Sequence, residues 1–202
     1  FRIDLARTRW RLGCTLLVLT LPLLAGGWMV HGSYEQELKA DASASAHKAK
    51  TLLERMLDQA EQANLEALSL VNRPCVDNLL LLRKRVALEP FLRSVNLARG
   101  GVIRCSSLFG PVHEVDDGTI YTGNKLLLMP GNKVRLDHPL LVVRHERGHD
   151  VALSAIDSTQ LSFMLAMSSD TSELFLQVGS AWIDESGHHQ NQPPRLYSKI
   201  SL

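Results

Sequence analysis

Three cysteines, Cys14, Cys75 and Cys105, carry the covalent chemistry open to this 202-residue chain. Cys105 begins the run Cys105-Ser106-Ser107, at the end of a short apolar stretch that leaves Gly100-Gly101. Cys75 follows Asn72-Arg73-Pro74, where a helix should stop, because the residue before a proline disfavours the helical region. A bond between these two sulfurs would tie a long helix to the first hairpin of the domain after it. Closing a loop of about thirty residues stabilises by about 3.6 kcal/mol in the chain-entropy picture. The residues alone leave open whether such a bond is a passive staple or a switch.

A second pattern, His145-Glu146-Arg147-Gly148-His149, matches the zinc-protease spacing H-E-x-x-H. That chemistry needs a helix, which sets both imidazoles one turn apart with the glutamate beside the metal-bound water. Here Leu140-Leu141-Val142-Val143 precedes and Val151-Ala152-Leu153 follows, so the context is strand, turn, strand. Gly148 weakens a helix by about 1 kcal/mol and suits a turn. Glu173 and His188 are the downstream residues available as a third ligand. The expectation is a solvated hairpin tip, with a membrane-anchored zinc peptidase on His145, Glu146 and His149 as the remote alternative. His188-His189 reads as part of a polar loop, and Asp116-Asp117 as turn acids bonding to backbone. No catalytic residue, bound metal or other cofactor is expected in this chain.

Composition sets the frame. A net charge of +1 provides no basic stripe for nucleic acid. Leu12 to Val30 contains no charged residue and is long enough to cross a ~30 Å hydrocarbon core at about 1.5 Å per residue. Arg2, Arg7, Arg9 and Arg11 precede it, against Asp4 alone. Positive residues stay cytoplasmic. The expected layout is therefore a cytoplasmic 1–11, a transmembrane anchor 12–30, and an exported 31–202. Ala25-Gly26-Gly27 is a weak cleavage site, so an anchor is preferred to a signal peptide. In a Gram-negative cell the exported part lies in the periplasm, an oxidising compartment where two cysteines favour a disulfide over free thiols. Cys14, inside the apolar run, reads as a small apolar residue.

These residues need elements to position them. From Ser33 to Val71 helix formers dominate, and Leu52, Leu53, Met56, Leu57, Ala60, Ala63, Leu65, Ala67, Leu68 and Val71 recur at helical spacing. A second helix is predicted over Val76–Leu88, with Leu79-Leu80-Leu81-Leu82 on the core and Arg83-Lys84-Arg85 in solvent. Strands are predicted at Phe91–Ala98 and Val102–Cys105 across the Gly100-Gly101 turn, then a loop from Phe109 to Gly118. Further strands are expected at Lys125–Met129, Leu140–Arg144 and Val151–Ile156. Asp157-Ser158 should cap a helix reaching Met167. Leu174–Val178 and Ala181–Ile183 form a last pair, before a polar loop over Ser186–Pro194. Helices and antiparallel strands without βαβ alternation indicate an α+β domain with one mainly antiparallel sheet. Behind a long membrane-proximal helix, that architecture is PAS-like.

The anchor, Cys75 after the first long helix, the strand ending Cys105-Ser106-Ser107, and the junction Ile156-Asp157-Ser158-Thr159-Gln160-Leu161 together resemble the CSS-motif domain. That domain is the periplasmic sensor of membrane-bound EAL-type cyclic-di-GMP phosphodiesterases of the bacterial inner membrane. The resemblance covers roughly 1–202. It implies that Cys75 and Cys105 pair, that the bonded form holds the phosphodiesterase down, and that reduction releases activity or exposes the protein to proteolysis. Implied partners are the membrane and periplasmic thiol-disulfide oxidoreductases and proteases, with a homodimer through the long helix also expected. A divalent metal, Mg or Mn, is implied only for an EAL domain, which would follow a second membrane helix. No such run occurs before Leu202, so the chain reads as a fragment of a longer enzyme. A ligand-binding PAS-like sensor with a purely structural disulfide is the alternative from another class.

Overall fold

The helical run predicted from Ser33 is the later part of α1 (Arg2–Leu68), the first element of the computed structural model. The structure describes residues 2–131, 138–169 and 172–194, with side chains at 20, 21, 28, 31 and from 34 onward in those ranges. The chain divides into two compact units, Phe1–Ser43 and Ala44–Leu202. The first is helical and carries exposed i,i+4 contacts of Glu35 with His31 (3.5 Å) and Lys39 (3.8 Å). Most side chains of the expected anchor, 12–30, lie outside the described residues. Among the described residues no helix is long and apolar enough to cross a membrane.

In the second unit the order continues with α2 (Cys75–Leu88), β1 (Leu92–Arg99), β2 (Val102–Ser106), β3 (Gly110–Val115), a 3-10 turn (Gly118–Ile120), β4 (Leu126–Met129), β5 (Leu140–Arg147), β6 (Asp150–Asp157), α3 (Ser158–Ser168), β7 (Phe175–Val178), β8 (Ala181–Asp184) and β9 (His189–Gln190). Six strands form one antiparallel sheet in the order β3-β2-β1-β6-β5-β4. The α+β expectation holds in that form. A second, three-stranded sheet β7-β8-β9 stands beside it, where a single sheet was expected. It takes His189 out of the predicted loop and pairs it with Ile183.

Alternation along the strands gives the large sheet two faces. One face presents Val95, Leu97, Leu141, Val143, Ala152 and Ile156 to the helical stripe Ala49, Leu53, Met56, Ala60, Ala63 and Ala67, the main core. Small alanines in the stripe let the helix lie close to the sheet. Asn64 shares that stripe at 0% exposure. Its amide donates to Val143 O (2.9 Å) and its Oδ1 accepts from the Ser154 hydroxyl (2.6 Å). The other face holds a smaller cluster of Ala98, Val142, Val151 and Leu153.

On that second face Arg144 is buried against Asp116 (3.1 Å) and also holds Glu146 (2.5 Å), while the Tyr121 hydroxyl donates to Asp116 (3.2 Å). Burial, then the Asp116 charge, pushes the Tyr121 hydroxyl pKa up. Burial pulls the Arg144 pKa down, but its bonds to Glu146 and Asp116 outweigh that and the net shift is upward. Asp116 is therefore a buried ion-pair partner rather than a turn acid. Asp117 does serve the turn: its carboxylate accepts from the Thr119 hydroxyl (2.7 Å) and from Thr119 N–H (2.9 Å), and these bonds lower its pKa.

Three predicted segments need correction. The loop expected over Phe109–Gly118 contains strand β3, because β2 offers it an open edge; Pro111, which cannot donate, is tolerated at that edge position. The four leucines of α2 do not share one face. At about 100° per residue a helix buries a stripe. Here Asn78 and Leu82 are buried, with Cys75, Leu79 and Val86 packed beside them, whereas Leu80 is 78% exposed. α1 ends at Leu68, three residues short of Val71, in tight turns closed by Val71 N–H to Leu68 O (3.3 Å) and Arg73 N–H to Leu70 O (3.0 Å).

Candidate functional site: the stapled hairpin end

Gly100 and Gly101 both have positive φ (+59° and +75°), the requirement of the two-residue turn that matches strand twist. That turn sends β2 back along β1 and brings Cys105 opposite Leu97. Pro74 starts α2 with its fixed φ, so Cys75 becomes the helix's first residue. The two sulfurs are bonded, with Cα atoms 5.2 Å apart.

The three side chains of Cys105-Ser106-Ser107 are buried (3%, 4% and 5% exposed) and each does a different job. Cys105 joins β2 to α2. Ser106 Oγ accepts from Leu108 N–H (3.3 Å) and Phe109 N–H (3.4 Å), forming the bend into β3. Ser107 clamps β1: its N–H donates to Val95 O (2.9 Å) and its Oγ accepts from Val95 N–H (3.0 Å). The Ser107 carbonyl accepts from Arg83 Nε of α2 (3.0 Å). Covalent and hydrogen-bonded ties thus converge on one corner of the sheet.

Asn78 extends the corner to α1. Its amide donates to Leu70 O (2.8 Å) and Arg73 O (3.3 Å), the carbonyls of the turns that end α1. Asn78, Arg83 and Asn64 were not singled out from sequence. The signal for Asn64 and Asn78 was a polar residue at a core position of an apolar helical stripe. Arg83 left none, since its partner is a backbone carbonyl supplied by the fold.

Chemically, the corner can undergo thiol–disulfide exchange. Cys75 is half-buried and Cys105 buried, so attack has access to Cys75. A Cys75 thiolate would sit at the positive end of α2, which favours the ionised form.

The H-E-x-x-H residues are not arranged for zinc. His145 and Glu146 lie in β5 and His149 in the turn, where its carbonyl accepts from Gly100 N–H (2.9 Å). The His145 ring contacts Glu61 of α1 (3.3 Å), and Glu146 is held by Arg144. Successive strand residues point to opposite faces, so the helix geometry that zinc chemistry needs is missing. The expected solvated tip is accurate for Arg147 to His149; His145 is partly covered and belongs to the strand. His188 Nδ1 lies 3.3 Å from Asp184, and Glu173 is in the lead-in to β7. Among the described residues no group of three His, Cys, Asp or Glu could hold a metal ion.

A family model described as the CSS motif domain associated with EAL matches residues 38–201. No curated protein matches the chain.

Proposed function

The chain belongs to the CSS motif domain family associated with EAL, and on that premise we propose that it is the redox-responsive regulatory region of a membrane-bound cyclic-di-GMP phosphodiesterase. In this reading Leu12–Val30 is the inner-membrane anchor, residues 1–11 are cytoplasmic, and residues from 31 onward form a PAS-like periplasmic sensor. Hydrolysis, and the Mg or Mn ion it uses, belong to an EAL domain; no catalytic role is assigned to residues of this chain.

The observation that carries the proposal is the Cys75–Cys105 bond, sited at the first residue of α2, directly after the turns that end α1. With the bond closed, the Arg73-Pro74 link fixes where α1 leaves the sheet. With it open, the α2 N-terminus loses its covalent tie to the sheet and is held by its packing, the Asn78 bonds and the Arg99–Asn72 bond, and the end of α1 gains freedom. A redox change at one covalent bond is thereby converted into a change in a two-state element, as a switch requires. Periplasmic thiol-disulfide oxidoreductases would close the bond, and periplasmic proteases would act on the opened form.

The test is Cys105→Ala in the full-length phosphodiesterase. Higher cyclic-di-GMP hydrolysis, or faster turnover in cells, is expected. Activity and turnover equal to the parent would leave the bond a passive staple and end the switch proposal.

A further inference from the structure

A cavity of about 350 Å³ opens beside the disulfide, and both cysteines line it. Arg73, Arg99 and Arg104 line it too, and none of its lining residues carries a carboxylate. Arg99 is engaged, by Asn72 Oδ1 (2.5 Å) and Asp150 (3.3 Å). Arg73 and Arg104 are exposed, and neither guanidinium is ion-paired or hydrogen-bonded among the described residues.

Arg104 and Cys105 are neighbours in β2, and neighbours in a regular strand point to opposite faces. The pairing with β1 explains their shared cavity. Leu97 is opposite Cys105 and Ala98 opposite Ile103, so Arg104 is an extra residue without a partner in β1. Such a bulge bends the strand locally and re-aims a side chain. The irregularity places a guanidinium that is unpaired among the described residues beside the disulfide.

Resting on the redox role proposed above, we propose that this cavity is the docking site of the reductant, and that the reductant is a small thiol bearing carboxylates. Cations lining a cleft concentrate an anion there, and both the attacking thiolate and its carboxylates are anionic. The volume suits a small molecule. The thiolate attacks Sγ of Cys75; the Cys75–Cys105 bond breaks, and its electron pair leaves on Cys105, which takes up a proton. A second thiol attacks its own kind in the mixed disulfide, releasing the small-molecule disulfide and Cys75 as a thiolate that is then protonated. Two thiols are oxidised, one protein disulfide is reduced, and the two protons the thiols lose are those the cysteines gain.

The experiment is the rate of disulfide reduction in the 202-residue chain by mercaptosuccinate (anionic), 2-mercaptoethanol (neutral) and cysteamine (cationic), each referred to thiolate concentration. The parent should favour mercaptosuccinate. In Arg73→Gln/Arg104→Gln its advantage should fall roughly tenfold, the low end of what a charged cleft adds to an association rate. Arg104→Glu should shift the preference towards cysteamine. Salt should erode the parent's preference and leave that of the double variant unchanged. Both arginines are exposed, so the variants should melt with the parent. Rates that are the same for all three thiols, or a preference unmoved by the substitutions, would overturn the docking site while leaving the redox role standing. A disulfide that none of the three reduces would overturn both.

Discussion

Ser107 and Val95 exchange two hydrogen bonds across the sheet, N–H to O at 2.9 Å and N–H to Oγ at 3.0 Å. The serine side chain thereby replaces a strand partner beyond the end of β2. Val95 is 0% exposed, so its N–H has no access to water if the hydroxyl is lost. Ser107→Ala should destabilise by about 1–3 kcal/mol, the cost of an unsatisfied buried donor. Ser106→Ala should cost less, because its bonds are longer and lie at a bend between exposed Leu108 and Phe109. Urea unfolding of the two variants checks the order; a larger loss for Ser106→Ala would contradict these roles.

Reducing the disulfide should lower stability by about 3.6 kcal/mol, from loop entropy returned to the unfolded chain. The loss should not be uniform. Amide exchange should accelerate first at the end of α1 and the start of α2, which lose their covalent tie and keep the Asn78 bonds, the Arg99–Asn72 bond, the Arg85–Glu66 ion pair and local packing. Exchange that rises equally across β5 and β6 would point to global loosening and exclude a local hinge.

Asn64 and Ser154 form a buried pair that joins α1 to the middle of the sheet. Asn64→Ala leaves the Ser154 hydroxyl without its best acceptor and should cost about 1–3 kcal/mol. Adding Ser154→Ala should cost less than the sum of the single changes, because the second orphan is removed with its partner. Additive losses in thermal or urea unfolding would show that the two residues act independently.

Asp157 gives the fold an acid-sensitive joint. It caps α3 through Thr159 N–H (2.9 Å) and pairs with Arg93 (2.5 Å). Burial raises its pKa, but the bonds from Thr159 and Arg93 outweigh it and the net shift is below the ordinary 3.8. A group whose folded-state pKa is lowered stabilises fully above its unfolded value. Its contribution is lost as pH falls from 3.8 through the lower folded value. Asp157→Asn keeps a good cap but loses the charge. It should flatten the decline of stability below pH 3.8 while changing stability at neutral pH by less than Asp157→Ala. A decline unchanged in Asp157→Asn would assign it to other carboxylates.

Much of this architecture was legible because it depends on local chemistry. The apolar stripe of α1, the Gly100-Gly101 turn, the stop at Pro74 and the cap at Asp157 each follow from backbone preferences or periodicity that neighbouring residues determine. The strand-turn-strand setting of His145 to His149 was legible for the same reason. The helical stripe of α2 was misread where four leucines in a row hid the 100° step that lets only one or two of them face the core.

The sequence by itself determined which residues could bond, turn and cap, and it singled out Cys75 and Cys105 as the pair outside the apolar run 12–30. Tertiary structure decided what surrounds them. Strand β3 exists because β2 has a free edge, the Ser107–Val95 clamp exists because β1 runs beside it, and Arg104 shares a cavity with Cys105 because the register slips by one residue. These are contacts between residues distant along the chain. Their free energy depends on burial and register, which no local stretch specifies.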